Sequence, residues 1–321
     1  MATALATLMS LPSVELAAER SPVMRVRRFE AALGTSGPRI FFKRDDLLGF
    51  GLGGNKVRKL QLLAAAATAS RADTLVTCGA IQSNHARVTA AAGAVLGRRV
   101  VLVLSGEPPS PPTGNLALDY LFGAEVRYVG RREERDAAMA AVVEEEHRLG
   151  RQAYVIPVGG STALGAAGMA RGVAELGTAG LRPDVIFVAS SSGGTQAGLV
   201  AGCALLGLRT RVIGISADER RAALSGRVSE LLESMAQLLG GRVETLVGPH
   251  PIDVDDRFVG DGYGLPTEAS LEATTLLART EGVVVDAVYG AKALAALVAR
   301  VRAHEFTPDD TVLFWQTGGF S

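Results

Sequence analysis

The chain has 321 residues, 48% of them hydrophobic and 21% charged, with 33 basic and 33 acidic side chains and no formal net charge. A chain of this length can bury a sizeable core, and it sets an expectation of two domains. Its balanced charge argues against nucleic acid or a membrane surface as the main partner, because both select a basic excess.

Short apolar runs with β-branched content alternate with Ala/Leu-rich amphipathic segments, the pattern of βαβ units and parallel sheets. The first predicted strand, Ile40–Lys43, leads into a helix over Asn55–Ala69. Strands follow at Thr74–Cys78, Arg99–Leu104, Glu125–Val129 and Ala153–Ile156, separated by helices over Asn84–Leu96, Asn115–Leu121 and Arg132–Leu149. A helix over Ala163–Leu176 precedes the strand Val185–Ala189, the helix Thr195–Leu206, the strand Val212–Ser216 and the helix Arg220–Leu239. The last predicted elements are a helix over Pro266–Thr280, a strand over Val283–Val285, a helix over Gly290–Ala303 and a strand over Val312–Trp315. The proline-rich stretch Ser105–Gly114 and the stretch Gly240–Asp256 read as irregular connections.

Cys78 and Cys203 sit in apolar stretches with neither a disulfide framework nor a zinc-ligand spacing, so both read as reduced, buried thiols. Met1 to Leu11 has no basic start and is too short to cross a bilayer, which sets the expectation of a cytoplasmic enzyme. Four lysines stand against 29 arginines, and three of the four, Lys43, Lys56 and Lys59, fall within 17 positions; the other is Lys292. A chain that takes arginine for nearly every cation has little evident reason to keep lysine unless a primary amine matters.

Three segments could carry chemistry. In Gly53-Gly54-Asn55-Lys56-Val57-Arg58-Lys59, paired glycines let the backbone turn tightly before a helix. A lysine on the first turn lies where dipole and burial disfavour an ammonium, so its pKa falls, which suits an imine-forming amine. Lys59, one turn on, could reach an anion. The alternative is a glycine cap followed by a solvated basic helix start. In Ala80-Ile81-Gln82-Ser83-Asn84-His85, a strand end meets a helix start, where free N–H groups attract a carboxylate. Plain N-capping by Ser83 or Asn84 explains the same residues. In Ser190-Ser191-Ser192-Gly193-Gly194-Thr195, small residues leave room for N–H groups to wrap a phosphate. The absence of both a Lys-Ser/Thr pair and a G-x-G-x-x-G run suits a single phosphate monoester better than ATP or NAD, and a bare Ser/Gly turn is the alternative. Together the three describe a pyridoxal 5'-phosphate site for a small amino acid.

The chain resembles the D-cysteine desulfhydrase and 1-aminocyclopropane-1-carboxylate deaminase family of the tryptophan-synthase-β-like fold. The matching pieces are Lys43-Arg44-Asp45-Asp46, GGNKVRKL at 53–60, GAIQSNHAR at 79–87, YVIPVGGSTALGAAG at 154–168, GGTQAGL at 193–199, GYGLP at 262–266, Val288-Tyr289 and Thr317-Gly318-Gly319. The resemblance implies a two-domain α/β fold, the fold type II of pyridoxal-phosphate enzymes, with open, mostly parallel sheets flanked by helices. Residues 1–57 and 166–321 would form the large domain and 58–165 the smaller inserted one, with a homodimer as the assembly. It implies that Lys56 carries the cofactor as an imine and that Asn55 bonds its phenolic oxygen. Lys59, Ser192, Gly193, Gly194 and Thr195 would hold the phosphate, and Thr317 would lie by the ring nitrogen. Ser83, Asn84 and His85 match the segment that receives the substrate carboxylate, Ser83 being the deaminases' proposed nucleophile. Tyr263 and Tyr289 match active-site tyrosines.

The deaminases carry Glu after the tyrosine and Leu before the final Gly-Gly, and the desulfhydrases carry Thr at both; here the residues are Gly290 and Thr317. Ser191 also stands where the family has a small Gly. The expected reaction is β-elimination, with Lys56 or Ser83 taking the Cα proton and D-cysteine yielding pyruvate, ammonia and hydrogen sulfide. The alternatives are a C–S lyase for an S-substituted cysteine, given space at Gly290, a deaminase of the cyclopropane amino acid, and a non-catalytic binder of the cofactor or of amino acids. The retained imine-forming Lys56 speaks against the last.

Overall fold

The computed structural model describes residues 2–17, 20–34 and 36–319. From the N-terminus it runs α1 (Ala2–Ser10), β1 (Val23–Arg25), α2 (Arg27–Ala32), β2 (Arg39–Arg44) and α3 (Lys56–Ala69). A parallel unit follows: β3 (Thr74–Ala80), α4 (Asn84–Leu96), β4 (Arg99–Ser105), α5 (Gly114–Leu121), β5 (Glu125–Val129), α6 (Arg135–Arg148) and β6 (Ala153–Ile156). The chain continues through α7 (Ala163–Thr178), β7 (Val185–Ser190), α8 (Gly194–Leu205), β8 (Arg211–Ser216) and α9 (Arg221–Leu238). It ends with α10 (Glu244–Val247), β9 (Asp253–Asp255), α11 (Glu268–Glu281), α12 (Gly290–Arg302) and β10 (Thr311–Gln316).

The strands form two sheets. One has six strands in the order β1-β2-β10-β7-β8-β9, parallel except where β1 meets β2; the other has four parallel strands in the order β5-β4-β3-β6. Parallel strands are covered on both faces and therefore alternate between two apolar layers. In β7, Ile186 and Val188 pack with α7, α8 and α9, while Val185 and Phe187 pack with α11 and α12. In β4, Val100, Leu102 and Leu104 face α4 and α5, whereas Val101 and Val103 face α6. Cys78 and Cys203 are buried free thiols, as expected. Among the described residues, no helix is long and apolar enough to cross a membrane.

The predicted strand over Val283–Val285 is not one. Val283 and Val285 are buried in the core beneath α12 and Val284 is exposed, so the alternation is real, but among the described residues no strand lies alongside to pair with it. The Gln316 side-chain amide donates to the Val284 carbonyl instead (3.1 Å). The stretch Gly240–Asp256 holds α10 and β9, and α1, β1 and α2 were not predicted either. These pieces are short or polar, and their neighbours hold them. Asp255 on β9, for instance, is fully buried against Arg257 and Arg300.

A buried polar network fixes α3 to the large sheet. Asp45, with no exposure, accepts from Arg58 Nε (2.9 Å) and Nη2 (2.8 Å), Ser21 Oγ (2.7 Å) and Trp315 Nε1 (2.7 Å). Arg58 also donates to Glu175 on α7 (2.6 Å), which takes the Lys43 ammonium as well. The α3 and α7 backbones approach closely because position 168 is glycine: a Cβ there would lie 2.1 Å from the Arg58 carbonyl oxygen. Removing one partner of such a pair strands a buried charge, at a cost of ~3–5 kcal/mol. Asp45→Asn should therefore lower the urea midpoint sharply, while Arg242→Gln, at an exposed ion pair with Glu244, leaves it nearly unchanged.

Candidate active site

A cavity of about 980 Å³ opens between the two sheets, at the carboxyl ends of β3 and β7 where Cys78–Ala80 and Ala189–Ser190 reach its wall. Asn55, Lys56, Ser83, Asn84, His85, Ser192, Gly193, Thr195, Tyr263, Tyr289 and Thr317 all line it. The sequence-predicted site residues thus meet around one space, except Lys59 and Gly194, which lie just behind its wall.

Lys56 opens α3. The turn before it is shaped by Gly53 (φ +74°) and Gly54 (φ +103°), and a Cβ on Gly53 would lie 2.4 Å from the Asp46 carbonyl oxygen. Arg87 Nη2 donates to the Gly53 carbonyl (2.9 Å), and the Asn55 N–H donates to the Thr317 carbonyl (2.9 Å), pinning the turn to the end of β10. Burial pushes the Lys56 amine down to about 8, against the opposing field of the Asp286 carboxylate. Among the described residues the amine has no hydrogen-bond partner, so it faces the cavity uncommitted. The Asn55 side-chain amide donates to Thr195 Oγ1 (2.8 Å), which ties the lysine turn to the loop ahead of α8.

That loop forms a cradle. Gly193 is left-handed (φ +81°), and α8 starts at Gly194, so its first N–H groups have no partner within the helix. Behind it, Lys59 Nζ donates to the Gly159 carbonyl (3.0 Å) and Ser161 Oγ (3.2 Å). Ser161 Oγ in turn meets Ser192 Oγ (2.7 Å) and the Gly194 N–H (3.3 Å). Burial, and secondarily the nearby Lys56, hold the Lys59 amine well below the ordinary lysine value. A buried amine without a carboxylate partner, set behind helix N–H groups and able to take up a proton as an anion arrives, fits a phosphate monoester.

At the opposite wall, Ser83 caps α4 by accepting from the Ala86 N–H (3.1 Å). His85 is buried, and burial followed by the fields of Lys56 and Lys59 keeps it neutral. Thr77 Oγ1 donates to the Ile156 carbonyl (2.6 Å), so it accepts from His85 Nε2 (3.0 Å), and Nδ1 is left as a bare acceptor. The imidazole therefore cannot donate to a carboxylate; only the His85 backbone N–H can. The Tyr263 and Tyr289 hydroxyls meet at 2.5 Å with their rings edge to face, and burial raises both phenols, so they stay protonated.

Position 290 does not open space. Gly290 is buried, and a Cβ there would lie 2.9 Å from Asp286 Oδ2 and 3.0 Å from Val285 Cβ. Asp286 accepts from the Val288, Tyr289 and Gly290 N–H groups, capping α12 and setting Tyr289 in place. Sequence reasoning assigned no role to Asp286, Arg87 or Ser161. The carboxylate three residues before Tyr289 was the signal for the first, and Ser161 stood unremarked inside the 154–168 motif. Gly194→Ala would set a Cβ 2.6 Å from Ser161 Oγ and 2.9 Å from Lys59 Nζ. Fluorescence titration of apoprotein should show pyridoxal phosphate bound about tenfold more weakly, a loss of ~1.4 kcal/mol.

The chain is 37% identical to a D-cysteine desulfhydrase of Serratia proteamaculans (strain 568), covering 97% of this chain and 95% of that protein. It is also 37% identical to the D-cysteine desulfhydrase of Yersinia enterocolitica, covering 97% and 95%. A solved structure described as an ACC deaminase homologue superposes with a TM-score of 0.91 at 34% identity, covering 100% of this chain and 96% of that one. A fungal L-serine ammonia-lyase from Rhizomucor miehei shares the fold, with a TM-score of 0.69 at 17% identity, covering 94% of each chain. The model of the pyridoxal-phosphate dependent enzyme family matches residues 14–318. The α/β fold, the uncommitted amine and the phosphate cradle agree with that match, and the chain belongs to the pyridoxal-phosphate dependent enzyme family.

Proposed function

We propose that the chain is a lyase that eliminates the β-substituent of a small amino acid, converting D-cysteine and water to pyruvate, ammonia and hydrogen sulfide. One observation carries this reading: Lys56 offers a partnerless amine at about 8 in the same cavity as a phosphate cradle. The relatives named D-cysteine desulfhydrase support the choice of substrate.

When bound, the cofactor supplies an electron sink for the carbon that gives up its proton. Lys56 would hold the cofactor by its amine, and Asn55, held by Thr195, would face its phenolic side. Ser192, Gly193, Gly194 and Thr195 take the phosphate, and Lys59 answers its charge through the wall. Thr317, which lines the cavity, would offer the ring nitrogen a neutral hydroxyl. Ser83, Asn84 and the His85 N–H receive the substrate carboxylate, and Lys56 or Ser83 takes the Cα proton. Tyr263 and Tyr289, both protonated, bound the β-substituent. The chain acts as two lobes, residues 1–57 with 166–321 and residues 58–165, in a cytoplasmic homodimer.

A second reading, a C–S lyase for an S-substituted cysteine, is favoured by the room in a cavity of about 980 Å³. It no longer rests on position 290. A panel of D-cysteine, L-cysteine, S-substituted cysteines and the cyclopropane amino acid decides between the readings. Sulfide and pyruvate should form fastest from D-cysteine, and Lys56→Ala should lower the rate about a thousandfold or more. Protein that stays colourless with added cofactor, or binds it and turns over nothing, would sink the proposal.

Only the uncharged amine attaches to an aldehyde, and the uncharged fraction of Lys56 rises as pH passes its value of about 8. The rate at which apoprotein takes up pyridoxal phosphate, followed by visible absorption, should climb to about pH 8 and then level off. An unshifted lysine would keep the rate climbing toward about pH 10.

A further inference from the structure

Asn115 is the second residue of α5, just after the proline-rich connection, and is 2% exposed. Its contacts all run to the loop that carries the carboxylate-side residues. Its backbone N–H donates to Gln82 Oε1 (2.7 Å), and its Nδ2 donates to the Gln82 carbonyl (2.8 Å) and to Asn84 Oδ1 (3.0 Å). Gln82 answers by donating to the Thr113 carbonyl (3.1 Å). The preceding residue must be glycine for this approach: Gly114 has φ +58°, and a Cβ there would lie 2.4 Å from Gln82 Oε1.

The bond to Asn84 has a directional consequence. A side-chain amide has one oxygen and one NH₂ of nearly equal size, and its neighbours decide which way each points. With both Asn115 Nδ2 protons spent on acceptors, Asn84 must turn its oxygen toward Asn115 and its NH₂ the other way. That NH₂ lies 3.0 Å from where a Cβ on Gly319 would sit, and among the described residues no protein acceptor takes it. Asn84 itself lines the cavity.

We infer that Asn115 is a positioning residue for substrate: it holds the Asn84 amide with its NH₂ toward the cavity, so that the site receives an amino-acid carboxylate with a donor and not with a second acceptor. This rests on the proposed amino-acid site. Without Asn115 Nδ2 the amide can flip, which replaces a charge-assisted hydrogen bond by a repulsion.

The test uses holoenzyme with D-alanine, which has no leaving group, and D-alaninol, which lacks the carboxylate, both titrated by the cofactor's visible absorption. Asn115→Ala and the near-isosteric Asn115→Asp should each weaken D-alanine about tenfold or more and leave D-alaninol within about twofold. The KM for D-cysteine should rise by more than kcat falls. In an Asn84→Ala background, Asn115→Ala should add less than about threefold, because both act through one amide. Unchanged D-alanine binding, equal losses for both probes, or loss of bound cofactor in both variants overturns the inference. If the parent enzyme binds neither probe, the amino-acid site itself fails, a result distinct from variants that match a parent that binds.

Discussion

A carboxylate shut away from water, Asp45, is the constraint on which the remainder of the structure depends. Such a charge survives only if donors surround it, and four converge here from Arg58, Ser21 and Trp315. Those donors come from the N-terminal segment, from α3 and from β10, segments far apart in the chain. The network therefore sets how α3 is rotated and where its first turn lies. Arg58 faces the large-sheet core, so Lys56 is turned to the cavity and Lys59 to the back of the α8 loop. The arginine-over-lysine bias acquires a physical sense in the same frame. Lys43, Lys59 and Lys292 are buried against oxygens, and Lys56 lines the cavity.

The site gathers bases whose charged forms burial disfavours. Lys56, Lys59 and His85 are all lowered, desolvation being the first cause in each; the field of Lys56 lowers Lys59 further, and both lysines lower His85. The cradle at Gly193–Thr195 supplies partial positive charge from helix N–H groups and no carboxylate. An arriving phosphate would supply the missing negative charge, so under the proposed function cofactor binding and the protonation of Lys59 are linked. Asp286 is the exception that keeps Lys56 from falling further, and it does so while spending its oxygens on the N-terminus of α12.

The cavity walls are built on backbone as much as on side chains. Asp286 occupies the room that a side chain at 290 would need, and three N–H groups hold it there. The tyrosine pair is set by that cap on one side. On the other, Lys292 gathers the Val259 and Gly262 carbonyls (2.7 and 2.8 Å), just ahead of Tyr263. Across the cavity, the 82–84 loop is held from α5. Under the proposed function, both walls that would face the substrate are thus positioned by buried polar residues behind them.

The alternation of apolar runs and amphipathic helices, the three small-residue turns and the lysine at a helix start were legible because each is a local pattern: periodicity, glycine placement and capping depend on near neighbours in the chain. They were enough to indicate a parallel α/β fold and the three turns that meet around the cavity, whereas Tyr263, Tyr289 and Thr317 came only from the family resemblance. What failed was non-local. Val283–Val285 alternates like a strand yet lacks a partner, β9 is a strand only because β8 lies beside it, and the space imagined at Gly290 belongs to a carboxylate four residues earlier. The amine's depressed pKa, the bare Nδ1 of His85 and the amide direction of Asn84 were likewise decided by the tertiary structure. Each depends on which groups from distant segments surround the atom and on how much water they exclude.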